Sequence, residues 1–194
     1  MPMTRRPFWT VWGAVGCVVL AAASVGTVRR PQTSPGPSEQ YERRDVMIAT
    51  RDGVKLNTMI LTPKAATGPL PFLLLRTPYG IDGAQARLDT AYRELAEEGY
   101  IFVFQDIRGR YRSEGRFVMM RPPRDQGDRL AVDESTDTFD TIDWLLANVP
   151  NHNGRVGATG VSYGGWLTVM AMLDPHPALK AVSPQASPVI LIVT

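Results

Sequence analysis

The chain has 194 residues, 44% hydrophobic and 21% charged, which is the composition of a globular protein with room for one core. Its formal net charge of +2 is too small to indicate a nucleic-acid footprint or a surface that seeks acidic partners. The single cysteine, Cys17, excludes an intrachain disulfide.

Arg5 and Arg6 precede an uncharged run of 22 residues from Pro7 to Val28. A basic start, an apolar stretch and the small residues Ala21-Ala22-Ala23 describe a secretory signal, with Thr4-Arg5-Arg6-Pro7-Phe8 similar to a twin-arginine export signal. The run is also long enough for an uncleaved membrane anchor, and Ala14-Val15-Gly16-Cys17 loosely resembles a lipoprotein attachment site. Each reading places the rest of the chain outside the cytoplasm, periplasmic or secreted, and at the membrane only if the segment is not cleaved. Residues 29–40 hold Pro31, Pro35, Gly36 and Pro37 among serines and threonines and read as a linker. A folded domain is expected over residues 41–194.

From Tyr41 on, the pattern alternates strand and helix. Asp45 to Thr50 and Lys55 to Thr62 read as strands joined at Asp52-Gly53 in a hairpin. Phe72 to Leu75 and Tyr100 to Asp106 are continuous apolar runs, as strands buried on both faces are. The spacing predicts a helix over Leu88 to Glu98, with Leu88, Ala91, Tyr92 and Leu95 on one face, ended by Gly99. A second helix over Thr136 to Ala147 should bury Phe139, Ile142, Leu145 and Leu146. Val156 to Gly160 is a strand, Tyr163 to Leu173 a helix, and Leu179 to Val182 a last short strand. A hairpin followed by alternating strands and helices predicts an α/β fold, with a mixed sheet parallel in its later part and helices on both faces. The arginines between Arg108 and Arg129 read as a solvated loop held by ion pairs.

The chemistry centres on Gly160-Val161-Ser162-Tyr163-Gly164. A G-x-S-x-G sequence between a strand and a helix is a nucleophile elbow, whose sharp turn exposes the serine at a helix N-terminus. Gly160 and Gly164 are expected where a Cβ would clash, and Gly165 where the helix approaches the sheet. A serine of this kind needs a histidine base and a carboxylate, which follow it in chain order in the fold that uses the elbow. The chain has two histidines, His152 and His176. Strand and helix lengths place each about 20 Å from Ser162, where a base must stand within about 3 Å.

Three segments carry a resemblance: the elbow continued to Gly165, Arg76-Thr77-Pro78-Tyr79-Gly80, and Asp106-Ile107-Arg108-Gly109-Arg110-Tyr111-Arg112-Ser113-Glu114-Gly115. Together they resemble the X-Pro dipeptidyl-peptidase and cocaine-esterase-like serine hydrolases, and within that group most the α-amino acid ester hydrolases. Val118 to Pro123, Asn153 to Gly157 and Leu173 to Lys180 look like the same subgroup. The resemblance implies an α/β-hydrolase fold acting on a small-molecule ester, amide or peptide, with no cofactor and no metal. It implies Ser162 as nucleophile, the Tyr163 backbone N–H as one oxyanion donor and the Tyr79 phenol as the other. Asp106 and Arg108 read as loop-fixing residues and Trp166 as core.

Members of the resembled group run several hundred residues, are often oligomeric and carry their acid and histidine well downstream of the serine. Here 32 residues follow Ser162, so the triad acid and histidine are expected to be absent, and the fold to hold the sheet only through the elbow. The uncharged tail Ser187-Pro188-Val189-Ile190-Leu191-Ile192-Val193-Thr194, with six residues of high β-propensity, reads as an aggregation-prone edge, consistent with a truncated gene or broken frame. These features predict a serine hydrolase weakly active or inactive alone. The alternative is a non-catalytic exported binding domain.

Overall fold

The computed structural model describes residues 36–188, apart from 126 and 129. The leader expected over residues 1–28 and the β-prone residues 189–194 of the tail lie outside the described residues. No helix among the described residues is long and apolar enough to cross a membrane.

The described chain forms an α/β fold around a six-stranded mixed sheet in the order β1-β2-β4-β3-β5-β6. The strands are β1 (Tyr41–Ala49), β2 (Lys55–Pro63), β3 (Leu70–Thr77), β4 (Ile101–Asp106), β5 (His152–Val161) and β6 (Leu179–Gln185). β1 and β2 make the expected hairpin, and β2 runs antiparallel to β4 through Met59↔Phe104. β4, β3, β5 and β6 are mutually parallel, with Thr77 opposite Asp106, Leu74 opposite Ala158 and Val161 opposite Gln185. The C-terminal ends of β3, β4 and β5 therefore open onto one edge of the sheet, where ligands of open α/β sheets collect.

Alternation along the central strands sorts two cores. Leu61, Leu73, Leu75, Phe102 and Phe104 face one side, with Leu88 and Ala96 packed over them. Ile60, Phe72, Leu74, Ile101 and Val103 face the other, under Ile142 and Leu145. Every residue of β4 is buried, as its continuous apolar run predicts.

The helix expected over Leu88 to Glu98 is instead two pieces. A 3-10 turn spans Gln85–Asp89, and α1 spans Arg93–Glu98. Thr90, at φ −130 and ψ −95, breaks them, and Arg87 O accepts from both Thr90 N–H and Tyr92 N–H. The break turns Ala91 to solvent and buries Ala96, so the apolar stripe survives with a different alanine. Pro37–Gln40, at the end of the segment read as linker, forms a 3-10 turn with Pro37 buried. Ser38 donates through N–H and Oγ to Asp89 and locks this turn to the domain.

α2 (Glu134–Asn148) buries Ile142 and Leu145, with Phe139 and Leu146 half-buried. Its N-terminus is set by Asp133. Asp133 Oδ1 accepts from Ser135 N–H at 2.9 Å and Thr136 N–H at 2.9 Å, and Oδ2 from Arg124 N–H at 2.8 Å. Thr136 Oγ1 accepts in return from Asp133 N–H at 3.0 Å, closing a capping box. Burial opposes the Asp133 charge, but these donors outweigh it and hold the carboxyl below its usual range. A depressed carboxylate stabilises the fold above its unfolded pKa and loses that contribution as the pH falls through the folded one. Asp133→Ala should cost about 1–2 kcal/mol in urea unfolding at neutral pH, with the gap to wild type closing under acid.

Candidate active site

β5 ends at Val161 and α3 (Tyr163–Met170) starts at Tyr163, so the chain turns on one residue, Ser162. Ser162 takes φ 56 and ψ −120, a conformation that costs a residue with a Cβ about 1–3 kcal/mol. Two bonds hold it there. Ser162 N–H donates to Gln185 O at 2.9 Å, and Ser162 O accepts from Trp166 N–H at 3.0 Å. The Ser162 side chain does not cap α3, and the residue is exposed at the open edge of the sheet.

The glycines divide differently from the sequence reading. A Cβ on Gly160 would stand 2.3 Å from Gly164 O, and one on Gly165 would stand 2.4 Å from Gln185 O. Both neighbours are backbone. At Gly164 the nearest atom to an added Cβ is Arg76 O at 3.5 Å, ordinary contact, so a methyl group fits there. The turn is tight at Gly160, and α3 approaches β6 at Gly165.

Tyr79 follows β3 onto the same edge as Ser162. Its N–H donates to Thr77 Oγ1 at 3.1 Å, and the residue is 63% exposed. Its ring meets the edge of Tyr163 at 6.5 Å between centroids. Tyr163 is buried, and its hydroxyl accepts from Met120 N–H at 2.7 Å. Burial pushes the Tyr163 phenol up, so it stays protonated at neutral pH. The Tyr163 backbone N–H opens α3 and has no partner within the helix. A cavity of about 150 Å³ lies between the two loops, lined by Thr77, Tyr79, Arg87, Tyr92, Gly160 and Val161.

Neither histidine stands at this edge. His152 begins the strand that Val161 ends, about 30 Å away along β5. Its Nδ1 accepts from Gly154 N–H at 3.0 Å, which leaves Nε2–H to donate to Leu146 O at 3.0 Å. His176 precedes Leu179, the first residue of β6, whose partner is Val156 in the middle of β5, and so lies on the side away from Val161. Its Nδ1 accepts from Ala178 N–H at 2.9 Å, and Nε2–H donates to Asp143 Oδ1 at 2.8 Å. Both rings are used in full at the opposite edge.

Beneath the elbow lies a buried polar network that the sequence did not signal. Arg76 Nε donates to Gln105 Oε1 at 2.8 Å, and Nη1 donates to Glu134 O and Thr138 Oγ1, both at 2.9 Å. Nη2 stands 3.1 Å from Glu134 Oε2 as an ion pair, too poorly aligned for a hydrogen bond. Burial pushes the Glu134 carboxyl up, against the opposing pull of Arg76. Arg108 binds Asp137 at 2.6 Å and Asp52 at 2.7 Å. Burial opposes the Asp52 charge too, but the bonds from Arg108 and Thr50 hold it down at about 2. Asp106 Oδ2 accepts from Asn57 Nδ2 at 2.7 Å, and Asp106 O accepts from Ser113 Oγ at 2.7 Å. Asp106 and Arg108 thus tie the loop after β4 to the hairpin and α2. Trp166 is buried against Ile107, Tyr163 and Met170.

Residues 52–192 match the family described as X-Pro dipeptidyl-peptidase (S15 family). The chain is 37% identical over 142 residues to a cocaine esterase from Rhodococcus sp. (strain MB1 Bresler), covering 72% of this chain and 22% of that protein. A solved structure of an α-amino acid ester hydrolase superposes with TM-score 0.72 at 42% identity, over 88% of this chain and 29% of the other. An aminopeptidase from a marine sediment Thaumarchaeota archaeon superposes with TM-score 0.71 at 42% identity, with the same coverage of 88% and 29%. The chain spans under a third of the length of each of these three relatives.

Proposed function

The chain belongs to the X-Pro dipeptidyl-peptidase (S15) family of serine hydrolases, and from that membership we propose that it carries the nucleophile and oxyanion-binding part of a site that cleaves esters or amides. The observation that carries the reading is Ser162, held at positive φ on the elbow with its side chain open to solvent. In this reading Ser162 Oγ adds to the substrate carbonyl carbon and gives up its proton to water, and the carbonyl oxygen takes up the negative charge. The Tyr163 N–H and the Tyr79 phenol donate to that oxyanion, at the positive end of α3. Collapse expels the alcohol or amine and leaves an acyl-serine, which water then cleaves to the acid.

Both histidines are bonded at the opposite edge, so turnover by this chain by itself should be slow. An oxyanion site without a local base retains part of the rate enhancement. The basic and apolar start of the sequence supports placing this chemistry outside the cytoplasm.

A fluorophosphonate probe tests the proposal. Incubation of the folded chain should give one adduct per molecule, mapped by mass spectrometry to Ser162 and missing from Ser162→Ala. p-Nitrophenyl acetate should acylate the same serine and be released slowly. A folded chain whose Ser162 stays unmodified on long exposure would sink the hydrolase reading and favour an exported binding domain.

A further inference from the structure

We infer that Arg110 is a positioning residue for the Tyr79 phenol, acting through the Pro78 carbonyl. The inference rests on the reading of Tyr79 and Tyr163 as oxyanion donors.

Tyr79 is held by its backbone rather than by its ring. Its side chain is largely in solvent and touches Tyr163 only at an edge. Thr77 precedes a proline and is confined to extended conformations, and Pro78 has a fixed φ. The segment Thr77-Pro78-Tyr79-Gly80 is therefore a stiff bracket, and its anchors decide where the phenol stands. One anchor is local, Tyr79 N–H to Thr77 Oγ1. The others come from the loop after β4. Arg110 Nε donates to Pro78 O at 2.9 Å. Gly80, at φ +91, lies so flat against Tyr111 that a Cβ there would stand 2.8 Å from Tyr111 Cε1.

Arg110 is itself immobilised. Its guanidinium stands 5.0 Å from the Phe117 ring centroid and 5.4 Å from that of Tyr111, a setting that favours a planar cation over an ammonium. The loop it stands on also reaches the elbow, because Met120 N–H donates to the Tyr163 hydroxyl. One loop therefore fixes the Tyr79 bracket through Arg110 and the first residue of α3 through Met120. Arg110 links the positions of the two oxyanion donors, although it touches neither the serine nor the phenol. Its charge also reaches the Tyr163 phenol, pulling it down against the stronger upward push of burial.

The test is a double-mutant cycle on the full chain, read as the second-order rate of Ser162 modification by a fluorophosphonate. Arg110→Ala should slow the reaction about 10-fold, because misplacing one donor forfeits part of what that donor gives. In a Tyr79→Phe background the same change should matter by less than about twofold, since no phenol remains to be placed. Arg110→Lys should restore part of the rate, having the donor without the stack. An Arg110→Ala chain that reacts like wild type overturns the inference. So does equal slowing with and without the phenol, which marks a structural role. Hydrogen exchange decides the anchoring without any chemistry. Residues 77–82 should lose protection in Arg110→Ala while residues 160–166 keep theirs, and unchanged protection overturns the inference. If the wild-type serine is inert to the probe, the hydrolase reading has failed, and exchange alone upholds or overturns the anchoring.

Discussion

Arg76→Met should destabilise the chain by about 3–5 kcal/mol, measured by urea unfolding at neutral pH. The Arg76 and Glu134 side chains are each 3% exposed, so neither charge is relieved by water. Methionine fills much of the volume and removes every donor. Glu134 then keeps a buried carboxylate with no counter-ion, and Gln105 Oε1, Glu134 O and Thr138 Oγ1 each lose the same guanidinium. Asp137 is less affected, because Arg108 holds it directly. The double variant Arg76→Met with Glu134→Leu should recover most of the loss, since removing both charges removes the desolvation cost that the pair only partly offsets. A single variant as stable as wild type, or a double variant no better than the single, would contradict this account.

The same pair sets a pH dependence of definite sign. The folded pKa of Glu134 is raised above its unfolded value near 4.5. Between those two values the folded chain binds the extra proton, so stability is highest below the unfolded pKa and is lost as pH rises through the folded one. Glu134→Gln keeps the shape and removes the titration. Its stability should be flatter than that of wild type from pH 4.5 upward. The acid side belongs to Asp52 and Asp133, whose lowered values act in the opposite direction below about pH 4.

What the sequence revealed and what it hid follow one physical division. Periodicity reports apolar faces, and it placed all six strands of the described sheet, α2 and α3, because those elements bury aliphatic side chains at regular spacing. It missed the break at Thr90, since two short turns presenting Leu88, Tyr92, Leu95 and Ala96 leave nearly the stripe of one helix. It could not see the first turn of α2, where Glu134, Ser135, Thr136, Asp137 and Thr138 are all buried. A run of polar residues reads as a solvated surface unless the partners that satisfy it are known. Ser135 and Thr136 turn to the neighbouring Asp133, but Arg76, which meets Glu134 and Thr138, and Arg108, which meets Asp137, lie 26 or more residues earlier in the sequence. At the site, the motif located Ser162 and its turn because a local backbone constraint leaves a local signature in glycines. The hold of Arg110 on the Tyr79 bracket left none, because it joins two loops through one side chain and one carbonyl.

The elbow supplies the second large effect. Gly165→Ala should cost about 3 kcal/mol or more, at the upper end for overpacking, although the added group is a single methyl. The atom in the way is a backbone oxygen, Gln185 O, with Gln185 N and Gly160 O each 3.2 Å from the same Cβ. No side chain can rotate to make room, so α3 must lift from β6. Lifting it strains the Ser162 N–H bond to Gln185 O, the contact that holds the serine at positive φ. Gly160→Ala should act likewise, because its Cβ would meet Gly164 O and the Gly164 carbonyl carbon. Gly164→Ala separates this mechanism from a general need for glycine. Its Cβ has room, and alanine is the better helix former by about 0.5–1 kcal/mol, so its unfolding midpoint should equal or exceed that of wild type. If Gly164→Ala proves as damaging as the other two, close approach is not what selects these glycines. The same order should appear in the reactivity of Ser162 towards a fluorophosphonate, because moving α3 moves the Tyr163 N–H away from the oxygen it is proposed to bind.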